Sequence, residues 1–227
     1  RVKLYMNDYN GAIAAANSAI ELREGSIVSD KSDYVEMFKL LDISTEDIFV
    51  ISKSATDYLS ANSLNTLYND YGMSVNEETI AEYASTDIRL ALLGGDWNGG
   101  KMSGIVENAQ ISNLPVLRLP EMYLILAESY AKTNQFKEAK ESLLEVAAKR
   151  NPDLNVAAIP EDATILTYIN KERKLELVQE GHRFMDARRL GEKIMVANGT
   201  YSNFDISKFV YPVPASEVNA GFGVLQT

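Results

Sequence analysis

Ala127-Glu128-Ser129-Tyr130-Ala131-Lys132-Thr133-Asn134-Gln135-Phe136-Lys137-Glu138-Ala139-Lys140-Glu141-Ser142-Leu143 decides the fold. The stretch reads as a helix, a tight polar turn and a second helix. Ala127 and Ala139 are small enough to let the two helices approach closely, and Tyr130, Phe136 and Leu143 fill the space between them. Pro152 follows where such a hairpin should stop, because proline cannot continue a helix interior.

The spacing fits the tetratricopeptide pattern, a helical-hairpin repeat of ~34 residues. A weaker copy opens the chain: Tyr9-Asn10-Gly11-Ala12 aligns with Phe136-Lys137-Glu138-Ala139, and Ala16 and Ala19 continue its small-residue face. Lys3 stands where the later copy has Tyr130. A third helical block is predicted from about Ala163 to Ile194. There Leu166, Ile169, Arg173 and Leu177 recur at three- and four-residue steps, so one stripe is buried. Gly181 is expected to mark the turn of another hairpin.

Residues 42–115 differ from the repeats. Asp47-Ile48-Phe49-Val50-Ile51-Ser52 reads as a short strand and Asn76 through Ala84 as a short helix. Gly94-Gly95-Asp96-Trp97-Asn98-Gly99-Gly100 reads as an exposed loop. Phe209-Val210-Tyr211-Pro212-Val213-Pro214 is expected to be extended, since proline disfavours helix there. The predicted fold is mainly α, with tetratricopeptide-like hairpins and an irregular insert carrying short strands. The expected organisation is one domain over 1–227. Helical repeats lie near 1–41, 116–151 and 161–195, the ligand-binding insert over 42–115, and an extended C-terminal segment over 196–227.

Composition removes several functional classes. The 227 residues hold no Cys and one His, so this chain has no disulfide scaffold, thiol nucleophile or Cys-ligated metal. The 22 basic against 32 acidic side chains give a net charge of −10, which argues against a nucleic-acid backbone as partner. No apolar run approaches the ~18 residues that span a bilayer. Residues 1–120 carry 9 basic and 17 acidic side chains; residues 121–227 carry 13 and 15. The later half is nearly balanced, as expected of paired charges. Arg1 begins a segment that reads as mid-helix, and a piece of a longer protein is the expectation.

The densest charged motif runs from Glu172 to Gly191. Glu172, Glu176 and Glu180 are four apart and share a helix face. One reading is catalytic, two carboxylates acting as acid and base on a glycosidic bond. The other is a structural ion network of Glu172, Arg173, Glu176, Glu180, Arg183, Asp186 and Arg189, with Arg183, Arg188 and Arg189 reaching back across Gly181 to clamp carboxylates. The network is preferred, because catalytic carboxylates need an open cleft and a shifted pKa. His182 inside it is expected to be a hydrogen-bonded structural residue. No catalytic residue, cofactor or metal-ligand set is assigned, while an incidental Ca²⁺ on the acidic insert stays open.

Glu172-Arg173-x-x-Glu176-Leu177-x-x-Glu180-Gly181-x-Arg183-x-x-Asp186-x-x-Arg189-x-Gly191 resembles the C-terminal signature of the SusD/RagB family. Leu117-Arg118-Leu119-Pro120-Glu121-x-Tyr123, Thr86-Asp87-Ile88-Arg89 and Tyr211-Pro212-Val213-Pro214 with Glu217 resemble other family segments in the same order. The resemblance covers essentially the whole chain. It implies a lipid-anchored nutrient-binding protein on the outer-membrane surface of Bacteroidetes. Such a protein would bind an oligosaccharide and hand it to a SusC-like TonB-dependent transporter, without catalysis. The family's N-terminal part, with its lipidated Cys and first helical repeats, is missing from these residues.

A sugar site needs flat aromatic faces for stacking and planar polar groups for hydrogen bonds. Trp97, flanked by Asp96 and Asn98 in the Gly-rich loop, is the first candidate, with Tyr58 and Tyr71 next. Trp97 as a hydrophobic plug for its own loop is the other reading. A tetratricopeptide-type protein-interaction scaffold without glycan affinity is the alternative function, and a glycoside hydrolase the third.

Overall fold

The structure is a computed structural model and describes residues 1–39, 42–56, 68, 74–93, 100–102, 112–197, 200–203, 216 and 219. Backbone contacts divide the chain into two compact units, Arg1–His182 and Arg183–Thr227.

In the first unit the helices are α1 (Val2–Tyr5), α2 (Tyr9–Arg23), α3 (Lys31–Met37), α4 (Glu77–Ile80), α5 (Leu90–Leu93), α6 (Leu119–Lys132), α7 (Phe136–Arg150) and α8 (Ile165–Glu176). Helix α6 is the central one and packs against α2, α7 and α8. It carries Pro120 and Glu121 in its first turn and ends on Lys132, the polarity that the helix dipole favours. One face, with Leu124, Ala127 and Ala131, joins Ala139, Leu143, Val146, Ile165 and Ile169 in the larger core. The other, with Met122, Ile125 and Leu126, meets Leu4, Ala12 and Ala16.

The two hairpins repeat each other down to their turns. Asn7 between α1 and α2 has φ 60°, and Asn134 between α6 and α7 has φ 61°. Asparagine tolerates this left-handed conformation better than most residues. Ala12 and Ala139 then sit at matching positions, 2% and 0% exposed. At the start of α2, Asp8 caps the helix by accepting from the Gly11 N–H at 2.9 Å; the matching Gln135 makes no such bond.

Strands β1 (Asp47–Ile51) and β2 (Leu114–Arg118) pair antiparallel, with Asp47 opposite Arg118 and Ile51 opposite Leu114. The Leu119 N–H donates to the Glu46 carbonyl at 2.7 Å, so the ribbon runs directly into α6. Residues of the 42–115 stretch join two small cores with residues outside it: Ile88 and Leu92 with Tyr34 and Phe38, and Tyr83 and Leu93 with Leu175.

The second unit contains α9 (Arg183–Leu190), β3 (Lys193–Ala197) and β4 (Thr200–Asn203), the two strands antiparallel with Lys193 opposite Asn203. The helical block expected to reach Ile194 therefore stops earlier. Helix α8 ends at Glu176, Gln179 and Gly181 adopt left-handed φ of 65° and 79°, and Gly191 at φ 66° ends α9. The β-branched Ile194 and Val196 then suit a strand. The Phe209–Pro214 segment and Glu217 lie outside the described residues.

Candidate functional site

The glutamates of the charged motif lie in the interior. Glu172 and Glu176 sit on the buried stripe of α8, in line with Ile165 and Ile169, and Glu180 on the turn that follows. Their cationic partners come from far away in the chain. Arg89 precedes α5, Lys101 lies in a short 3₁₀ turn (Gly100–Met102), Arg118 ends β2 and Arg150 ends α7. Glu46 precedes β1 and Asp87 sits two residues before Arg89. The four cationic side chains are at most 1% exposed, and Glu46 and Glu176 are fully covered.

Glu176 is the hub. Its Oε1 accepts from Arg118 Nη2 at 2.9 Å and Arg150 Nη2 at 3.1 Å; its Oε2 accepts from Arg150 Nε at 3.0 Å and Arg89 Nη1 at 3.2 Å. Arg89 forks onto Asp87 at 2.9 and 2.7 Å and reaches Glu172 at 2.6 Å. Arg118 and Arg150 both reach Glu46 at 2.8 Å. Lys101 Nζ meets Glu180 Oε1 at 2.9 Å, and also bonds the Glu176 carbonyl. Aromatic rings close the cluster: Tyr34 lies 4.8 Å from the Arg150 guanidinium, Tyr83 5.2 Å from that of Arg89, and Phe38 lies under Arg118 and Lys101. Guanidinium forks suit such a site because several planar N–H groups satisfy several carboxylates at once.

The electrostatics follow from this packing. Burial pushes the Glu176 carboxyl up, but Arg150, Lys101, Arg118 and Arg89 together outweigh it and hold it well below the usual carboxylate range. Glu180 is likewise held down by Arg118 and Lys101 against its own burial. Arg89 and Arg118 are raised despite burial, through their carboxylate partners. A glycosidic general acid needs the opposite shift and an open cleft. These carboxylates stay ionised and enclosed, so they cannot protonate a leaving group.

The rest of the expected network behaves differently. Arg173 is buried, at 2% exposure. In the second unit Arg189 Nε donates to Asp186 Oδ1 at 2.7 Å, and Arg183 pairs with Glu192 and with the Lys193 carbonyl. Arg89, Arg118, Arg150 and Lys101 clamp Glu172, Glu176 and Glu180 within the first unit. Gln179 and Gly181 are left-handed, at φ 65° and 79°, and form the turn expected near Gly181. His182 lies between Arg1, 3.4 Å away, and Glu121, 3.8 Å away. Its burial lowers its pKa against the pull of Glu121.

Asp96, Trp97, Asn98, Tyr58 and Tyr71 lie outside the described residues, but the flanks of residues 94–99 are described. Leu93 packs with Tyr83 and Leu175, and Lys101 is anchored as above. A cavity of about 560 Å³ lies elsewhere, among residues 26–45, with Asp30, Asp33, Glu36 and Ser44 on its wall. Its described lining holds no aromatic ring.

Comparison with known proteins places the chain. The SusD family model matches residues 96–218, just over half of it, and the chain belongs to the SusD family. Solved structures agree in fold. A SusD superfamily protein from Bacteroides thetaiotaomicron aligns at TM-score 0.82 and 21% identity, over 100% of this chain and 58% of its own. One from Bacteroides fragilis aligns at 0.78 and 27%, over 96% and 53%. Surface glycan-binding protein A from Bacteroides thetaiotaomicron, solved with laminarihexaose, aligns at 0.74 and 20%, over 99% and 61%. The chain thus spans less than two thirds of the length of each. A search of curated proteins finds no match. Among the described residues no helix is long and apolar enough to cross a membrane.

Proposed function

We propose that this chain is the helical scaffold, together with part of the glycan-contact surface, of a non-catalytic oligosaccharide-binding protein of the bacterial cell surface. The observation that carries the reading is membership of the SusD family over residues 96–218, and the laminarihexaose bound to a structural neighbour supports the ligand class. The enclosed position of Glu176 and Glu180, with their carboxyls held below the usual range by cationic partners, supports binding without hydrolysis. Trp97 is the stacking residue in this reading. Asp96 and Asn98 supply hydrogen bonds beside it, and Tyr58 and Tyr71 add further aromatic faces. The protein is lipid-anchored at the outer membrane and delivers its glycan to a SusC-like TonB-dependent transporter.

The test is a binding screen of the intact protein against an oligosaccharide panel that includes laminarihexaose. For any glycan that binds, Trp97→Ala should weaken affinity about tenfold or more, a loss of about 1.4 kcal/mol. Unchanged affinity in that variant removes the site assignment. A panel with no binder at all returns the chain to a protein-interaction scaffold, and release of reducing sugar would make it an enzyme.

A further inference from the structure

His182 is the only histidine of the 227 residues. It is 6% exposed, at the end of the turn that follows α8, and lies beside Glu121 in the first turn of α6, which is 1% exposed. Arg1, just before α1, reaches both. Its Nε and Nη2 fork onto Glu121 Oε1 and Oε2, each at 2.7 Å, and Nη2 also donates to the Val116 carbonyl of β2 at 3.0 Å. The same Nη2 lies 3.4 Å from His182 Nε2. One guanidinium thus ties the start of α1 to β2, to α6 and to the turn after α8.

The chemistry of arginine fixes the state of the imidazole. A guanidinium has donors only and stays charged, so His182 Nε2 accepts and carries no proton. The ring proton of neutral His182 is then on Nδ1, which faces Glu121 Oε1 at 3.8 Å. Protonating Nε2 turns that acceptor into a donor aimed at Arg1 and sets a second cation beside it. It also strengthens the pull of His182 on the Oε1 that Arg1 Nε holds. Among the described residues, the charged groups around the ring are Glu121 of α6, Arg1 before α1, Glu180 of the turn and Arg173 of α8. The Arg1 α-amino group senses Glu121 and Arg173 as well. Burial, with Arg1 and Arg173, holds the imidazole below its ordinary value against Glu121 and Glu180. The closed arrangement therefore binds the proton less readily than an open one, and by linkage a falling pH favours opening.

We propose that Arg1, Glu121 and His182 form a proton-operated clasp: neutral His182 accepts from Arg1 and holds the start of the first hairpin on α6, whereas protonated His182 takes Glu121 from Arg1 and releases it. The clasp works between the ordinary imidazole value of about 6.5 and the carboxylate value of about 4.3, so it opens before the Glu176 cluster loses charge. The apolar contacts of Ala12 and Ala16 with α6 do not titrate, which confines the opening to the start of α1. The clasp does not depend on the glycan-binding reading.

A single histidine gives a single imidazole signal, so proton NMR of the 227-residue chain follows His182 directly. Between about pH 8 and pH 5, wild-type His182 should titrate below about 6.5. Arg1→Gln should move that titration upward, because Glu121 then faces the ring without the rival cation. Amide hydrogen exchange reports the release, since the Tyr5 and Met6 N–H groups bond the Arg1 and Val2 carbonyls at 3.1 and 3.0 Å. Their protection, corrected for the intrinsic pH dependence of exchange, should fall about fivefold from about pH 7.5 to about pH 5 in wild type. His182→Gln keeps an acceptor for Arg1 and has nothing to titrate, so its protection should change less than about twofold over the same range. Titration of His182 at or above about 6.5 overturns the proposal, and so does a titration that Arg1→Gln leaves unmoved. So does wild-type protection that stays constant, or that falls equally in His182→Gln. If His182→Gln fails to melt cooperatively, the wild-type titration and exchange decide alone.

Discussion

Helices α6, α7 and α8 are joined in two chemically opposite ways. Along most of their length the seam is apolar, with Ala127, Ala131, Ala139, Leu143, Val146 and Ile169 at 3% exposure or less. At the end of α7 and α8 it becomes ionic, with Arg150 and Glu176 in the same buried rows. The apolar seam depends on volume and removal from water, which are non-directional. The ionic end depends on direction, because every guanidinium N–H needs an acceptor at the right place. A volume-conserving change should therefore be mild in the first region and severe in the second.

Glu176→Gln tests the severe case and should have the largest effect. The amide has nearly the same shape but replaces one acceptor oxygen with a donor and removes the charge facing Arg89, Arg118 and Arg150. Breaking a buried ion pair on one side costs about 3–5 kcal/mol, which for a chain of this size lowers the midpoint by roughly 10 °C. Thermal or urea unfolding checks it. The same cluster sets an acid limit. Glu176 and Glu180 titrate lower in the folded chain than in the unfolded one. They therefore stabilise it above the unfolded carboxylate value of about 4.3, and that contribution is lost as pH falls through their folded values. The wild-type midpoint should fall most steeply below about pH 4.3, and more shallowly in Glu176→Gln.

Leu143 tests the mild case. Leu143→Ala should cost about 2–4 kcal/mol, combining lost transfer energy with a cavity beside Ala127 and Ala139. Leu143→Met, which keeps the volume, should cost less than about 1.5 kcal/mol. If Leu143→Met proved as damaging as Glu176→Gln, the contrast between the seams would collapse.

The same contrast decides what could be read in advance. The α6–α7 hairpin was legible because Ala127, Tyr130, Phe136, Ala139 and Leu143 are close in sequence and their period is the helix's own. The ionic end was legible only on its acidic side, as Glu172, Glu176 and Glu180 on one helix face; its placement in the core rows is what the structure adds. Arg150 continues the Ala139, Leu143, Val146 row, and Glu172 and Glu176 continue the Ile165, Ile169 row, so a charge lies where the stripe demands an apolar residue. Its partners could not be read. Glu46 lies 104 residues from Arg150, and Arg89 lies 87 from Glu176. Nothing periodic connects them, and Lys101 carries no local signal at all. Asp87-Ile88-Arg89 and Leu117-Arg118-Leu119 entered as two separate resemblances, yet both supply members of this one cluster. For the glycan-contact candidates the residues on each side of 94–99 are the informative part.

The smallest effect concerns the turns, where the two hairpin copies agree most closely. Asn7 and Asn134 share φ within a degree, although one turn follows a four-residue helix and the other a fourteen-residue helix. If the backbone alone sets the cost of substitution, the two positions should respond alike. Alanine has no side-chain oxygen to support positive φ, so Asn7→Ala and Asn134→Ala should each destabilise by about 1 kcal/mol. Glycine is free there, and Asn134→Gly should stay within about 0.5 kcal/mol of wild type. The sites are far apart in sequence and belong to different hairpins, so the double alanine variant should show additive losses. A clearly larger loss at Asn134 would mean that the longer helices transmit turn strain into the apolar seam, and that the two copies share a geometry without sharing its energetics.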